Sequence, residues 1–450
     1  MLTGMFGWHM TFNFFRLVVL LTTPALRRAG GAAMALALLL WLPAGAARAA
    51  EDHFNGAEVA GCTRVDQTYT CATLSLANDI TIANGYTVEV SSAVSFTYFQ
   101  ILKMSGSAVL HASGDLDLRG LQTNNTQVAG GTLSTGATFR LGSNDQTVTA
   151  NVSANAIATG GPSTRINGNV TVKDQANLGS STTITGTLTA ATVSAGPSLR
   201  IDGGIAASGT VSLSSNSTIK GGITGLNGAR GGTVTTGSGS SISGNILASA
   251  FTLASGGTLA GDIDAHTVEL RAANATVTGS ITASISIVVG SGGSVTGKIN
   301  SAKVELNASN VTIKGDINAS TSLTISSGNT VNGNITGTTL TIASSNVVVN
   351  GNVTMTGDID IGSGGTINGD ISARNVTTHA SGDNLNGNVA VNAIFLDWGA
   401  SVSKTITCTG PAPSAAAASP RPIPTTSRPA APPRRRRACT ISASPIPATP

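Results

Sequence analysis

Three kinds of residue in this chain have the types and spacing that chemistry requires. Asp262 with Asp264, and Asp358 with Asp360, are carboxylate pairs two residues apart, so a β-strand would present both members on one side. Paired acids of this kind serve polysaccharide lyases and hydrolases, where one carboxyl gives a proton and the other takes one. Such sites also need Arg or Lys on the same face, and neither pair is expected to have one nearby. His111, His266 and His379 stand alone and are read as surface or edge residues. Asp262, Asp316 and Asp370 recur three repeats apart, roughly 14 Å along a stack of strands, too wide for a catalytic pair. Calcium needs converging oxygen ligands, and the nonapeptide repeats of calcium-binding β-rolls are absent. No catalytic residue, cofactor or metal site is therefore expected. Cys62 and Cys71 have no cluster of Cys or His around them and are read as a disulfide closing a short loop in an exported chain.

The elements that position these residues follow from an internal repeat. A glycine followed two residues later by Ile, Val or Leu recurs at Gly168, Gly186, Gly203, Gly221 and Gly244, then at Gly261, Gly279, Gly297, Gly315, Gly333, Gly351, Gly369 and Gly387. From Gly261 onward the interval is 18 residues seven times running. Within a unit, apolar and polar residues alternate, which is strand periodicity. Leu323 with Ile325, Asn329 with Val331, and Ile335 with Gly337 form successive inward pairs six residues apart. Three short sides per turn make a triangular coil. One coil cannot bury its own apolar side, but stacked coils share a continuous core and pair every backbone amide with the coil above or below. The fold class is accordingly all-β, a parallel β-helix of about 18 residues per coil, with fourteen coils extending about 65–70 Å. The marker glycines are read as turn residues, needed for a positive φ or a close backbone approach. The residue after them is mostly Asn or Asp (Asn169, Asn245, Asp262, Asp316, Asn334, Asn352, Asp370, Asn388), with Lys298 as an exception. That column is expected to form an amide ladder along the rod.

The remaining segments are read from composition. Residues 1–49 carry Arg27 and Arg28 before an apolar stretch and end in Ala47-Arg48-Ala49, the pattern of a signal peptide cleaved before Ala50, or retained as an anchor. Residues 50–110 are read as an N-terminal cap with the first coils, holding the disulfide and Tyr69, Tyr86, Phe96, Tyr98 and Phe99. Residues 111–408 are the solenoid, with Phe395 and Trp398 expected either to close the core at its far end or to pack on a C-terminal module. A 23-residue interval places an extra loop at residues 225–232, expected to project from the rod. Residues 409–450, rich in Pro, Ala and Arg, are read as a disordered tail or an out-of-frame translation of a GC-rich gene. The formal net charge is +4, yet the two ends carry ten arginines and no acid, leaving the middle at −6. Nucleic acid is therefore excluded as a partner, and no stable membrane span is expected after signal cleavage. An ice-binding face would need a uniform threonine column. The outward column read as Thr252, Glu269, Ser286, Glu305, Thr324, Thr341 and Asp360 is not one.

The unit Thr312-Ile313-Lys314-Gly315-Asp316-Ile317-Asn318-Ala319 resembles those of the bactofilins, the polymer-forming cytoskeletal proteins, over about residues 130–405. That resemblance implies a right-handed triangular β-helix that polymerises end to end. Gly61-Cys62 and Tyr69-Thr70-Cys71, preceded by the export signal and followed by the coil array, are similar to the N-terminal part of exported MshQ-type proteins of mannose-sensitive haemagglutinin pilus biogenesis. The second resemblance implies that a further domain follows the solenoid. The expected function is a non-catalytic structural rod at a bacterial surface, in the periplasm or outside, tied to pilus biogenesis or adhesion. Its expected partners are itself end to end or pilus components. The alternative is a carbohydrate-binding adhesin or polysaccharide-cleaving β-helix.

Overall fold

A computed structural model describes residues 51–408, apart from 75–76, 143–144, 272 and 380. The export signal expected at 1–49 and the tail at 409–450 lie outside the described residues.

The chain winds into a parallel β-solenoid of about 19 turns whose strands form three ladders. The first ladder begins at Glu51–Phe54 and ends at Ser401–Val402. Its inward column runs Val277, Val295, Ile313, Val331, Val349 and Ile367 in direct register. The second begins at Thr68–Cys71 and ends at Ile406–Cys408, with Ile281, Ile299, Ile317, Ile335 and Val353 stacked inward. The third begins at Val94–Ser95 and stacks Ile287, Val304, Leu323, Leu340, Ile359 and Val376. All of these inward aliphatics are fully buried. Each contributes about 1.5–3 kcal/mol of burial relative to exposure, and only because a like residue lies above and below it. Every strand pairing among the described residues is parallel except Cys62–Val65 with Thr68–Cys71.

The rod is longer than the marker glycines indicate, roughly 85 Å for 19 rungs at strand spacing. One of the additional turns follows Gly387, at 401–408, and the other four lie before residue 147. There Glu51 pairs with Asp79, Ile80 with Leu102 and Leu102 with Thr126, so these coils are longer than 18 residues and no fixed interval links them, although Gly131-Thr132-Leu133 repeats the marker with Leu133 beside Val152. At the N-terminal end the hairpin of Cys62–Val65 adds an antiparallel strand to the second ladder, with Cys62 opposite Cys71 and their sulfurs bonded. Phe54 and Tyr69 plug the core beneath it edge to face at 5.0 Å, and the Tyr69 hydroxyl accepts the Gly56 N–H and donates to the Ala57 carbonyl. Tyr98 and Phe99 take no part in this plug. They lie 60% and 81% exposed on a corner loop. Phe395 and Trp398 do not close the far end either, being 40% and 87% exposed. The third ladder's outward column holds Val288 where Ser286 was expected. A bulge between Ala265 and Thr267 shifts the register there. The most uniform hydroxyl column lies instead on the first ladder, through Thr276, Ser294, Thr312 and Thr330.

Candidate functional surfaces

Two kinds of corner hold the coils together, and they use glycine differently. At Gly261, Gly279, Gly297, Gly315, Gly333, Gly351, Gly369 and Gly387 a Cβ would fall closer than 3.0 Å to the carbonyl of the marker glycine one coil earlier. Six of the eight, from Gly297 on, have no positive φ, so close approach and not backbone conformation excludes a side chain there. The left-handed turn sits at a different corner, which the sequence reading missed. Gly256, Asn274, Gly292, Asn310, Gly328, Asn346, Gly364 and Gly382 follow one another at 18-residue intervals with φ between 61° and 89°. Asparagine tolerates this region better than other side chains, so the two residue types exchange freely. The strict period of mixed Gly and Asn was the available signal.

The Asn/Asp column after the marker glycine is a ladder, although not of amide on amide. Each Oδ1 accepts the backbone N–H of the next coil: Asn245 from Asp262 at 2.9 Å, Asp316 from Asn334 at 2.9 Å, Asn334 from Asn352 at 3.0 Å, and Asn352 from Asp370 at 2.9 Å. Asn and Asp interchange because the ladder bond needs only the oxygen, and Asn388 adds an Nδ2–H bond to Asp370 Oδ1 at 3.1 Å. Stacked amides occur one position before the glycine, where Asn350, Asn368 and Asn386 each donate Nδ2–H to the Oδ1 of the preceding Asn at 2.7–2.9 Å.

The carboxylate pairs do acquire basic partners, contrary to the sequence expectation, because those partners arrive from neighbouring coils. Arg374 forks onto both oxygens of Asp358 at 2.9 and 2.7 Å, and Asn375 donates to Asp358 at 2.8 Å. His379 pairs with Asp360. Arg230, from the inserted loop, reaches Asp264 Oδ1 at 2.7 Å and donates to the carbonyls of Ala248 and Asp264, each at 2.9 Å. The inserted loop, expected to project, is exposed at residues 226–229, forms a short 3-10 turn at Leu226–Gly228 and is tied across the following coils by Arg230. The Arg374 guanidinium beside Asp358 holds its carboxyl below the usual range, and Lys303 and Asn307 do the same for Glu305. Carboxylates so paired are fixed as anions and are poorly suited to proton transfer near neutral pH. His111 meets the Ser134 hydroxyl at 2.8 Å and His266 the Ser284 hydroxyl at 2.7 Å, so neither is isolated, and His111 also stands in register between Glu89 and Ser134 on the second ladder.

Among the described residues no group of three or more His, Cys, Asp and Glu gathers as metal ligands, and no helix is long and apolar enough to cross a membrane. A shallow depression of about 320 Å³ lies over the second ladder, lined by Lys298, Asn300, Asp316, Ile317, Asn318, Asn334 and Thr336. It contains one carboxylate and one ammonium, without a second acid or base to form a reaction centre.

No curated protein and no solved structure matches this chain. The match to a known family falls on the most regular coils, well inside the broader stretch that the repeat pattern suggests: residues 271–348 fit the family model described as "Bactofilin: Polymer-forming cytoskeletal", and this part of the solenoid is bactofilin-like.

Proposed function

We propose that the protein is a non-catalytic structural rod that self-associates end on, and that it acts outside the cytoplasm in a role related to pilus biogenesis or adhesion. The observation that carries the reading is the uninterrupted ladder itself. Its interior is filled by aliphatic side chains, its outward Asp264 and Asp358 are tied to arginines of neighbouring coils, and its central coils fit a polymer-forming family. The two described ends differ. The second ladder is covered at its start by the disulfide-bonded hairpin, whereas the last coils present Phe395 and Trp398 to solvent. Strand edges with exposed aromatics favour pairing with another chain. Export and the pilus connection rest on the N-terminal segment and on the resemblance of the Cys62–Cys71 region.

Negative-stain microscopy of the purified full chain tests self-association. Filaments of rod width are expected, shortened by Trp398→Lys with Phe395→Asp. Single rods at all concentrations would overturn it. A carbohydrate-binding reading is favoured by one feature, the amide-lined depression around Lys298, and glycan-array binding lost in Asn318→Ala would support it over the first.

A further inference from the structure

Four polar side chains are completely buried at the corner between the third and first ladders, Gln146, Thr182, Asn329 and Asp383, and the last two share one hydrogen-bond plan. Asn329 uses both ends of its amide. Its Oδ1 accepts the Val311 N–H at 2.8 Å, and its Nδ2 donates to the Leu306 carbonyl at 3.1 Å. Asp383 repeats the first half of this arrangement, its Oδ1 accepting the Gly365 N–H at 2.9 Å. The second half is missing, because an ionised carboxyl has no donor. Its Oδ2 is buried with no hydrogen-bond partner.

The carbonyl that corresponds to Leu306 is Ile361. Each ends a third-ladder segment and each already accepts one N–H from the next coil, from Ser326 and from His379, both at 2.9 Å. A carbonyl oxygen has a second lone pair, which at Leu306 takes the Asn329 amide. Asp383 also joins three coils, since its own carbonyl accepts the Ser401 N–H at 2.8 Å.

We propose that Asp383 is a proton-held pin of the C-terminal coils: as a neutral acid its Oδ2–H bonds the Ile361 carbonyl, and ionisation breaks that bond and loosens the coils from Gly365 onward. Burial pushes the Asp383 carboxyl up from its ordinary value of 3.8, and Asp397 adds to this. The N–H groups of Gly365 and Gly364 and the charge of His379 pull the other way. The charged groups around it are Asp360 on the preceding coil, His379 on its own coil and paired with Asp360, and Asp397 on the following turn. The sign follows. Between the ordinary carboxyl value and the raised one, the closed coil binds a proton that the opened coil does not, so closure is favoured as pH falls and weakens as pH rises through that window. The device lies at the end that the assembly reading uses, yet it is defined within a single rod, and its test needs no filament.

Hydrogen exchange of the full chain from pH 4.5 to 8, expressed as protection factors corrected for intrinsic rates, provides that test. In the wild type, protection of residues 383–408 is expected to fall by up to about tenfold per pH unit across the titration, one proton being linked to opening. Residues 281–305 serve as the internal reference. Asp383→Asn restores a donor, so its protection is expected to be flat with pH and higher than wild type at pH 8. Asn329→Asp removes one and is expected to move the same pH dependence to residues 306–331. Parallel profiles for wild type and Asp383→Asn, failure of Asp383→Asn to fold, or pH-independent protection in Asn329→Asp would each overturn the proposal.

Discussion

Replacing Gly333 by alanine tests whether contact between coils, and not backbone conformation, selects the marker glycines. Gly333 has no positive φ, so alanine there carries no conformational penalty. The new Cβ would instead meet the carbonyl oxygen and carbon of Gly315 closer than 3.0 Å. Those atoms are backbone, and Gly315 is itself held against Gly297 in the same way, so the neighbour has little freedom to retreat. Overpacking of this kind costs about 1–3 kcal/mol. The reduced freedom of the unfolded chain returns only about 0.4–1 kcal/mol. The two ranges leave a net loss of up to about 2.6 kcal/mol of local stability, centred at about 1.3 kcal/mol. Two controls separate the causes. Gly160 has open space and no left-handed φ, so Gly160→Ala is expected to be neutral or to stabilise by about 0.4–1 kcal/mol. Gly256 has open space but a φ of +64°, so Gly256→Ala is expected to destabilise by about 1 kcal/mol and Gly256→Asn by less. Peptide-resolved hydrogen exchange is the appropriate assay, because a repeat array opens locally and a global transition would average the effect. If Gly333→Ala behaves like Gly160→Ala, the close-approach reasoning is wrong.

Three further outcomes follow from the same geometry. Lys298 interrupts the Oδ1 column and offers no acceptor to the Asp316 N–H, so Lys298→Asn is expected to stabilise the adjacent coils by about 0.5–1.5 kcal/mol, read as slower exchange of Asp316. Arg230→Ala removes three hydrogen bonds and releases the inserted turn, so limited proteolysis should cut within residues 225–232 several-fold faster while the ladders on either side stay protected. Asp202, Glu305 and Asp358 are held below the usual carboxyl range by Lys220, Lys303 and Arg374 in turn. Their contribution is present above the ordinary carboxyl value and is lost as pH falls through the lowered one, because the unfolded chain then binds more protons. Peptide-resolved hydrogen exchange from pH 2.5 to 6, corrected for intrinsic rates, should show local stability around Asp358 falling with acid, and Arg374→Gln should flatten that profile.

Much of the architecture was legible because stacking forces like residues into register. Leu323, Ile325, Val331 and Ile335 are buried as their alternation requires. What escaped the reading did so for identifiable reasons. The coils before residue 147 vary in length, so no fixed period exposes them, although they pair in parallel like the rest. The left-handed column from Gly256 to Gly382 was hidden by the exchange of Gly with Asn, two residue types that solve one backbone problem. The ion pairs Arg230–Asp264 and Arg374–Asp358 join residues 34 and 16 positions apart, distances that have meaning only once the coil is wound. Ser286 was placed in a column that Val288 occupies because a bulge shifts the register. Phe395 and Trp398 were expected to fill a core that is already filled by aliphatics, and both lie toward solvent.

The most direct measurement is cryo-electron microscopy of the purified chain, with its diffraction read along the long axis of the particles. A narrow rod of about 85 Å with a layer line near 4.8 Å along that axis is expected, strands running across the rod and coils stacking along it. A compact particle, or a 4.8 Å spacing perpendicular to the long axis, would contradict the stacked-coil rod on which the function rests.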